Sequence, residues 1–196
     1  MAGTRIHITG ASYSGVSTLG STLASHLSIP QIDVDDFYWM PTDPPFTTKR
    51  PIEDRVRLIG ERQDETEGWV LTGSCMGWGE ALVSAVDLIV FVYVPIAIRL
   101  QRLDQREASR YGKRILPGGD MHEAHAAFRQ WAASYEDPAA PGRNLAKHER
   151  WLREQPAPIL WLDGRQTVQA LVHAVRKELS CLPVVGRAGN GIRDDH

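Results

Sequence analysis

The sequence predicts an α/β chain in three layers, a five-stranded parallel sheet with helices on both faces. Three observations predict it. Short apolar runs alternate with stretches of helical period, and the strongest run, DLIVFVYV at 87–94, is continuous and β-branched, as a strand buried on both faces requires. A turn bracketed by Gly10 and Gly15 joins the first run to the first helical stretch. Polar and charged residues gather just after several runs, at the carboxyl edge where such sheets bind ligands.

In order, residues 5–9 read as a buried strand. Residues 17–27 read as a helix, with Leu19, Leu23 and Leu27 every four residues facing the sheet. A short second strand at 31–34 ends in the acidic cluster Asp33, Asp35 and Asp36. Residues 37–51 hold four prolines and no helical period, so they read as loop. Ile52, Val56 and Ile59 mark an amphipathic helix at 52–65, and Trp69 to Thr72 a third strand ending at Gly73. After the run at 87–94, Pro95 closes the strand and a helix carries Ile98, Leu100 and Leu103. The basic, glycine-bearing stretch 106–119 is expected to be a mobile loop. Helices follow at 121–135 and 145–151, separated by the prolines of 137–142. The last strand is 158–162, and the last helix is 167–179, with Gln166 or Thr167 near its start. Residues 186–196 have little to bury and are expected to be a disordered tail.

The chain has 196 residues, enough for one α/β domain with a real core. A net charge of -2 provides no global field toward nucleic acid or anionic lipid. Two distant cysteines, Cys75 and Cys181, argue against a disulfide framework and for a reducing cytosol. No signal-peptide-like stretch opens the chain and no apolar run could span a bilayer, so a cytoplasmic location is expected.

Residues Gly10, Ala11, Ser12, Tyr13, Ser14, Gly15, Val16, Ser17 and Thr18 have the spacing of a phosphate-binding loop, G-x-x-x-x-G-K-[ST], with Val16 where lysine belongs. The glycines let successive N–H groups converge on one centre, and the following helix adds its positive end. Ser17 is placed to ligate Mg²⁺. Together these predict a nucleoside triphosphate site for ATP, or another nucleoside triphosphate, with Mg²⁺.

The same stretch resembles the opening of adenylate-kinase-like and shikimate-kinase-like P-loop kinases. The resemblance extends to bacterial DNA topology modulation proteins, themselves small kinase-like chains, through Asp35-Asp36-Phe37-Tyr38-Trp39-Met40-Pro41, through Trp69-Val70-Leu71-Thr72-Gly73, and through Pro95 with the spaced arginines that follow. It covers about residues 5–175. It implies a single kinase-like domain over residues 1–183 with a flexible tail at 184–196. It further implies an acceptor-binding segment at about 36–66 and a helical lid at about 106–144. Three departures stand out: Val16; Thr72 where adenylate kinases carry an acidic residue; and an acceptor segment unlike theirs at 37–46.

Asp33 and Asp35 resemble the paired aspartates of shikimate kinases. Chemistry would use one carboxylate for the acceptor hydroxyl, assigned to Asp35, and one for the metal side, assigned to Asp33. The alternative is an aspartate-rich cap on the following turn. Arg102, Arg106, Arg110 and Arg114 recur every four residues and on a continuing helix would form one basic stripe able to clamp phosphates. Of these, Arg106 and Arg110 are the candidates, with Arg143 reaching in from the far side of the lid. Lys49 and Arg50 could also replace the missing lysine. Tyr38, Trp39, Phe46 and Trp78 could line a pocket for a flat ring, or simply pack. His122-Glu123-Ala124-His125 is one residue short of the zinc spacing H-E-x-x-H, and Asp120 or the preceding glycines are expected to cap the helix there.

Three functions remain open: phosphoryl transfer from ATP to a small molecule or nucleotide, nucleotide binding without transfer, and a scaffold with an empty loop. The expected partners are a nucleoside triphosphate and a small acceptor. Direct nucleic-acid binding is not expected from the net charge of -2.

Overall fold

The computed structural model describes residues 3–182. The tail expected at 184–196 lies outside the described residues. Strands β1 (Arg5–Gly10), β2 (Gln31–Asp33), β3 (Trp69–Thr72), β4 (Leu88–Tyr93) and β5 (Ile159–Asp163) form one sheet in the order β2-β3-β1-β4-β5. Every pairing is parallel. The helices are α1 (Val16–Leu27), α2 (Val34–Tyr38), α3 (Ile52–Asp64), α4 (Ile96–Tyr111), α5 (His122–Ala133), α6 (Leu145–Arg153) and α7 (Val168–Cys181).

Strand alternation builds two cores from one sheet. Ile6, Ile8, Val70, Leu88, Val90 and Val92 face Leu19 and Leu23 of α1 and Leu171, Val172 and Val175 of α7. The intervening residues Ile32, Trp69, Leu71, Ile89 and Phe91 face Ile59 of α3 and Trp151 and Leu152 of α6. Each such fully buried aliphatic side chain contributes about 1.5–3 kcal/mol. Gly20 brings α1 down onto β3, because a Cβ there would lie 2.1 Å from Thr72 Cγ2.

Three local expectations are corrected. Residues 106–111 are not loop but the last turns of α4, because no breaker occurs before Gly112, whose N–H caps the helix on Ala108 O. Val34 does not extend β2. It starts α2, whose N-cap Asp33 accepts the Asp35 N–H at 3.1 Å. Asp120 does not cap α5, since its carboxylate is engaged by Arg114 at 2.6 Å and Met121 takes the cap position with no side-chain bond. Thr167 caps α7 through the Ala170 N–H, as its position predicts.

The second face of β1 is polar. His7 Nδ1 donates to Leu71 O at 3.3 Å, and Thr9 Oγ1 lies 3.1 Å from His148 Nε2 of α6. His148 Nδ1 in turn lies 2.8 Å from the Tyr135 hydroxyl. Burial pushes His7 down to about 4 and His148 down to about 3, the latter aided by the charge of Arg143. Both rings are therefore neutral when folded at pH 7, while the unfolded chain takes up protons below about 6.5. Stability is complete above about pH 6.5 and is lost as pH falls, by up to about 1.4 kcal/mol per pH unit for each histidine. Urea unfolding should show the midpoint dropping between pH 7 and pH 5, with a shallower drop in His148→Gln. A midpoint constant over that range would contradict neutral burial.

Candidate functional site

The loop between β1 and α1 is compressed against β4. A Cβ at Gly10 would meet Val92 O at 2.5 Å and Ser14 Oγ at 2.7 Å, so only glycine fits. Helix α1 opens at Gly15 with no side-chain cap and no acidic residue in its first turn. Its free N–H groups and positive end are thus uncompensated. Ser14 is 2% exposed, and its Oγ has no hydrogen-bond partner among the described residues. An orphaned buried hydroxyl beside an uncapped helix start fits an anion such as a phosphate.

Two helices hold this loop from outside. Arg102 of α4 donates from Nη1 to Tyr13 O and Ser14 O at 3.4 and 3.5 Å, and from Nη2 to Gly164 O at 3.0 Å. The Tyr13 hydroxyl donates to Glu107 Oε1 at 2.6 Å, and its ring lies 6.2 Å from Phe128 of α5. Burial, followed by Glu107, raises the Tyr13 hydroxyl well above the ordinary tyrosine range. His125 of α5 approaches Glu107 at 3.7 Å.

Four arginines of α4 and its continuation therefore have four different fates. Arg102 is committed to loop carbonyls. Arg106 joins Ser17, Thr18, Asp33 and Asp36 around one open cleft of about 470 Å³ and makes no hydrogen bond or ion pair among the described residues. Arg110 stacks on Phe46 at 5.4 Å and on Tyr111 at 5.2 Å. Arg114 pairs with Asp43 at 2.8 Å and with Asp120. Lys49 stands over Tyr38 at 5.9 Å and Arg50 Nε donates to Phe37 O, so both are engaged in segment 36–66 rather than at the loop. Val16, the first residue of α1, packs its side chain on the core.

The aspartates divide. Asp33 lines the cleft with Ser17, and the same residue caps α2, so both readings of it hold geometrically. Ser17 and Asp33 together could hold Mg²⁺ directly or through water, as that ion takes few protein ligands. Asp35 does not line that cleft. Crowding by surrounding protein and the charge of Asp33 push the Asp35 carboxyl up to about 6, against the opposing pull of Arg143. Arg143 lies 5.8 Å from the Trp131 ring, and burial lowers its guanidinium.

Sequence reasoning missed Arg55 and Arg99. Arg55 is buried on α3, with Nε donating to Arg50 O at 2.6 Å and its guanidinium 3.8 Å above the Tyr38 ring. Its signal was present: it falls at the i+3 position of the stripe Ile52, Val56, Ile59. Arg99, 1% exposed, donates to Val94 O and Ala132 O and pairs with Glu136, which also accepts the Ile96 N–H at the start of α4.

The strand order and the loop under the clasp of α4 define the P-loop kinase fold. In solved structures the chain is similar to a shikimate kinase from Bacteroides thetaiotaomicron, with a TM-score of 0.54 and 20% identity over 90% of this chain and 98% of that one. It is likewise similar to a sugar kinase from Janibacter sp. HTCC2649, with a TM-score of 0.54 and 15% identity over 94% and 99% of the two chains. No protein-family model matches the chain. The chain belongs to the family of the uncharacterized protein YqaC of Bacillus subtilis (strain 168), to which it is 39% identical over 175 residues, covering 89% of this chain and 97% of that protein.

A hydrogen bond to a charged group is worth about 1.5–3 kcal/mol. Arg102→Ala should therefore lower the unfolding free energy by about that amount in urea titration, with Arg102→Lys recovering only part because a single ammonium cannot fork between two loops. Wild-type stability in Arg102→Ala would show that the clamp does not hold the loop.

Proposed function

We propose that this protein is a P-loop phosphotransferase that moves the γ-phosphoryl group of ATP to a hydroxyl of a small acceptor, with Arg106 replacing the missing lysine. One observation carries this reading: Arg106, with no hydrogen bond or ion pair among the described residues, borders the same cleft as Ser17 and Asp33. In this reading the backbone of residues 10–18 and the Ser14 hydroxyl receive the phosphates. Mg²⁺, held at Ser17 and on the Asp33 side, neutralises charge on the β- and γ-oxygens. Asp35 accepts the proton of the acceptor hydroxyl, for which a carboxyl near 6 is well matched at neutral pH. Arg143 orients the acceptor beside Asp35, and Arg110 closes the mouth over Phe46. Residues 36–66 are the acceptor segment and 106–144 the lid, the latter carrying both Arg106 and Arg143.

The kinase-fold neighbours support this class of chemistry, and the acceptors they are named for, shikimate and a sugar, have hydroxyl groups in common. The specific likeness to DNA topology modulation proteins names no acceptor. No helix among the described residues is long and apolar enough to cross a membrane, and a cytoplasmic location would supply ATP. A second reading, nucleotide binding without transfer, draws on Val16, whose apolar side chain occupies the lysine position and packs on the core.

A single positioned electrostatic donor is worth about 3–4 kcal/mol, a factor of about 100 to 1000 in kcat. Arg106→Ala should lower kcat by that factor while the Kd for ATP with Mg²⁺, from calorimetry, changes several-fold at most. Val16→Lys should restore turnover in the Arg106→Ala background. Binding with no turnover against any hydroxyl acceptor, in wild type and Val16→Lys alike, selects the second reading. No heat with any nucleoside triphosphate overturns both.

A further inference from the structure

By its charge, Glu107 is out of place. It follows Arg106 on α4, four residues after the fully buried Leu103, and its side chain is only 12% exposed. No arginine or lysine among the described residues pairs with it. Its Oε1 accepts the Tyr13 hydroxyl at 2.6 Å. Its Oε2 lies 3.7 Å from His125 Nδ1 of α5, a buried nitrogen with no hydrogen-bond partner among the described residues. A carboxylate so enclosed is costly, and one tyrosine ring away from a loop suited to an anion it also repels that anion.

What offsets these costs is the hold on Tyr13. That residue stands inside the glycine loop with φ at 64°, a left-handed conformation that glycine takes freely and tyrosine takes only when held. Arg102 takes its carbonyl, Glu107 its hydroxyl, and Phe128 of α5 its ring at 6.2 Å. The hydroxyl stays protonated at neutral pH and so remains a donor to Glu107. The side chain therefore leaves the loop toward α4 and α5. Beside it the loop keeps the turn in which the Ser14 N–H donates to Ala11 O at 3.2 Å and the buried Ser14 hydroxyl is left open for an anion.

We infer that Glu107 is a positioning residue for the nucleotide: through Tyr13 it holds the phosphate loop in its anion-receiving form, and it couples that form to the placement of α5. This rests on the phosphate-binding half of the phosphotransfer reading. Glu107, His125 and Phe128 all belong to residues 106–144, so the same segment that carries Arg106 grips the loop from behind. Filling the loop then steadies α5, and a steadied α5 tightens the loop by the same factor.

The test uses the full chain, with calorimetry of ATP plus Mg²⁺ and of inorganic tripolyphosphate. Tyr13→Phe and Glu107→Ala should each raise Kd for both probes about 10- to 100-fold, the usual worth of a hydrogen bond to a charged group, and the double variant should be no worse than either. Glu107→Gln still accepts from Tyr13 but carries no charge, so it should bind as tightly as wild type or tighter. A charge that merely stood nearby gives the opposite sign, with Glu107→Ala binding both anions more tightly. That result overturns the inference, as does an equal loss in Glu107→Gln. Tyr13→Phe removes one oxygen and leaves the ring on Phe128, so it carries the test if Glu107→Ala does not fold. Wild-type Kd in Tyr13→Phe, or additive losses in the double variant, overturns the inference too. In amide exchange, ATP with Mg²⁺ should slow α5 in wild type and not in Tyr13→Phe; no slowing in wild type overturns the coupling. In turnover, Tyr13→Phe should raise KM for ATP with kcat changed far less. If binding follows these expectations and no acceptor is phosphorylated, the positioning stands and phosphotransfer falls. A wild-type protein that binds neither probe overturns both.

Discussion

A loop whose N–H groups converge must turn its carbonyls outward, and those carbonyls need donors of their own. Arg102 supplies them. One planar guanidinium reaches Tyr13 O, Ser14 O and Gly164 O, tying the loop after β1 to the loop after β5. The geometry of the candidate site depends on this clamp. It frees the inner surface of the loop for an anion, and it fixes α4 so that Arg106, one turn further on, borders the cleft beside Ser17. The positive charge near the loop thus has two sources with different duties, one bound to backbone and one open.

Behind the loop runs a second set of constraints. Thr9, the residue before Gly10, contacts His148, and His148 contacts Tyr135. Next along the chain, Glu136 holds both Arg99 and the start of α4. In a low-dielectric interior each polar group here is costly unless paired, so the chain of contacts stands or falls as a unit. It fastens the base of residues 106–144 to the root of the loop, on the sheet face opposite α1.

The sheet was legible because parallel strands buried on both faces read as continuous apolar runs, and DLIVFVYV could be little else. The loop was legible because glycine spacing reports backbone geometry directly. What escaped has two physical origins. Composition misled at 106–111, where basic residues suggested mobility although each is an adequate helix former and the breaker comes only at Gly112. Long-range pairing left no local mark: Thr9 and His148 are 139 positions apart, and nothing near either points to the other. Arg55 is the intermediate case. Its place on an apolar stripe was visible, yet a stripe read only for its apolar members passes over it.

The clamp also has a consequence for biosynthesis. Its acceptors are contributed at two very different times, since Arg102 lies 89 residues after Tyr13 and 62 before Gly164. Domains form as the chain leaves the ribosome at about 5–20 residues per second, so the loop would wait roughly 10–30 s for its last tie. Until then the nascent chain holds β1 and its loop but lacks β5, the strand that pairs with the far side of β4. The full clamp on the loop is therefore acquired late in translation, although the loop it holds is among the first segments made.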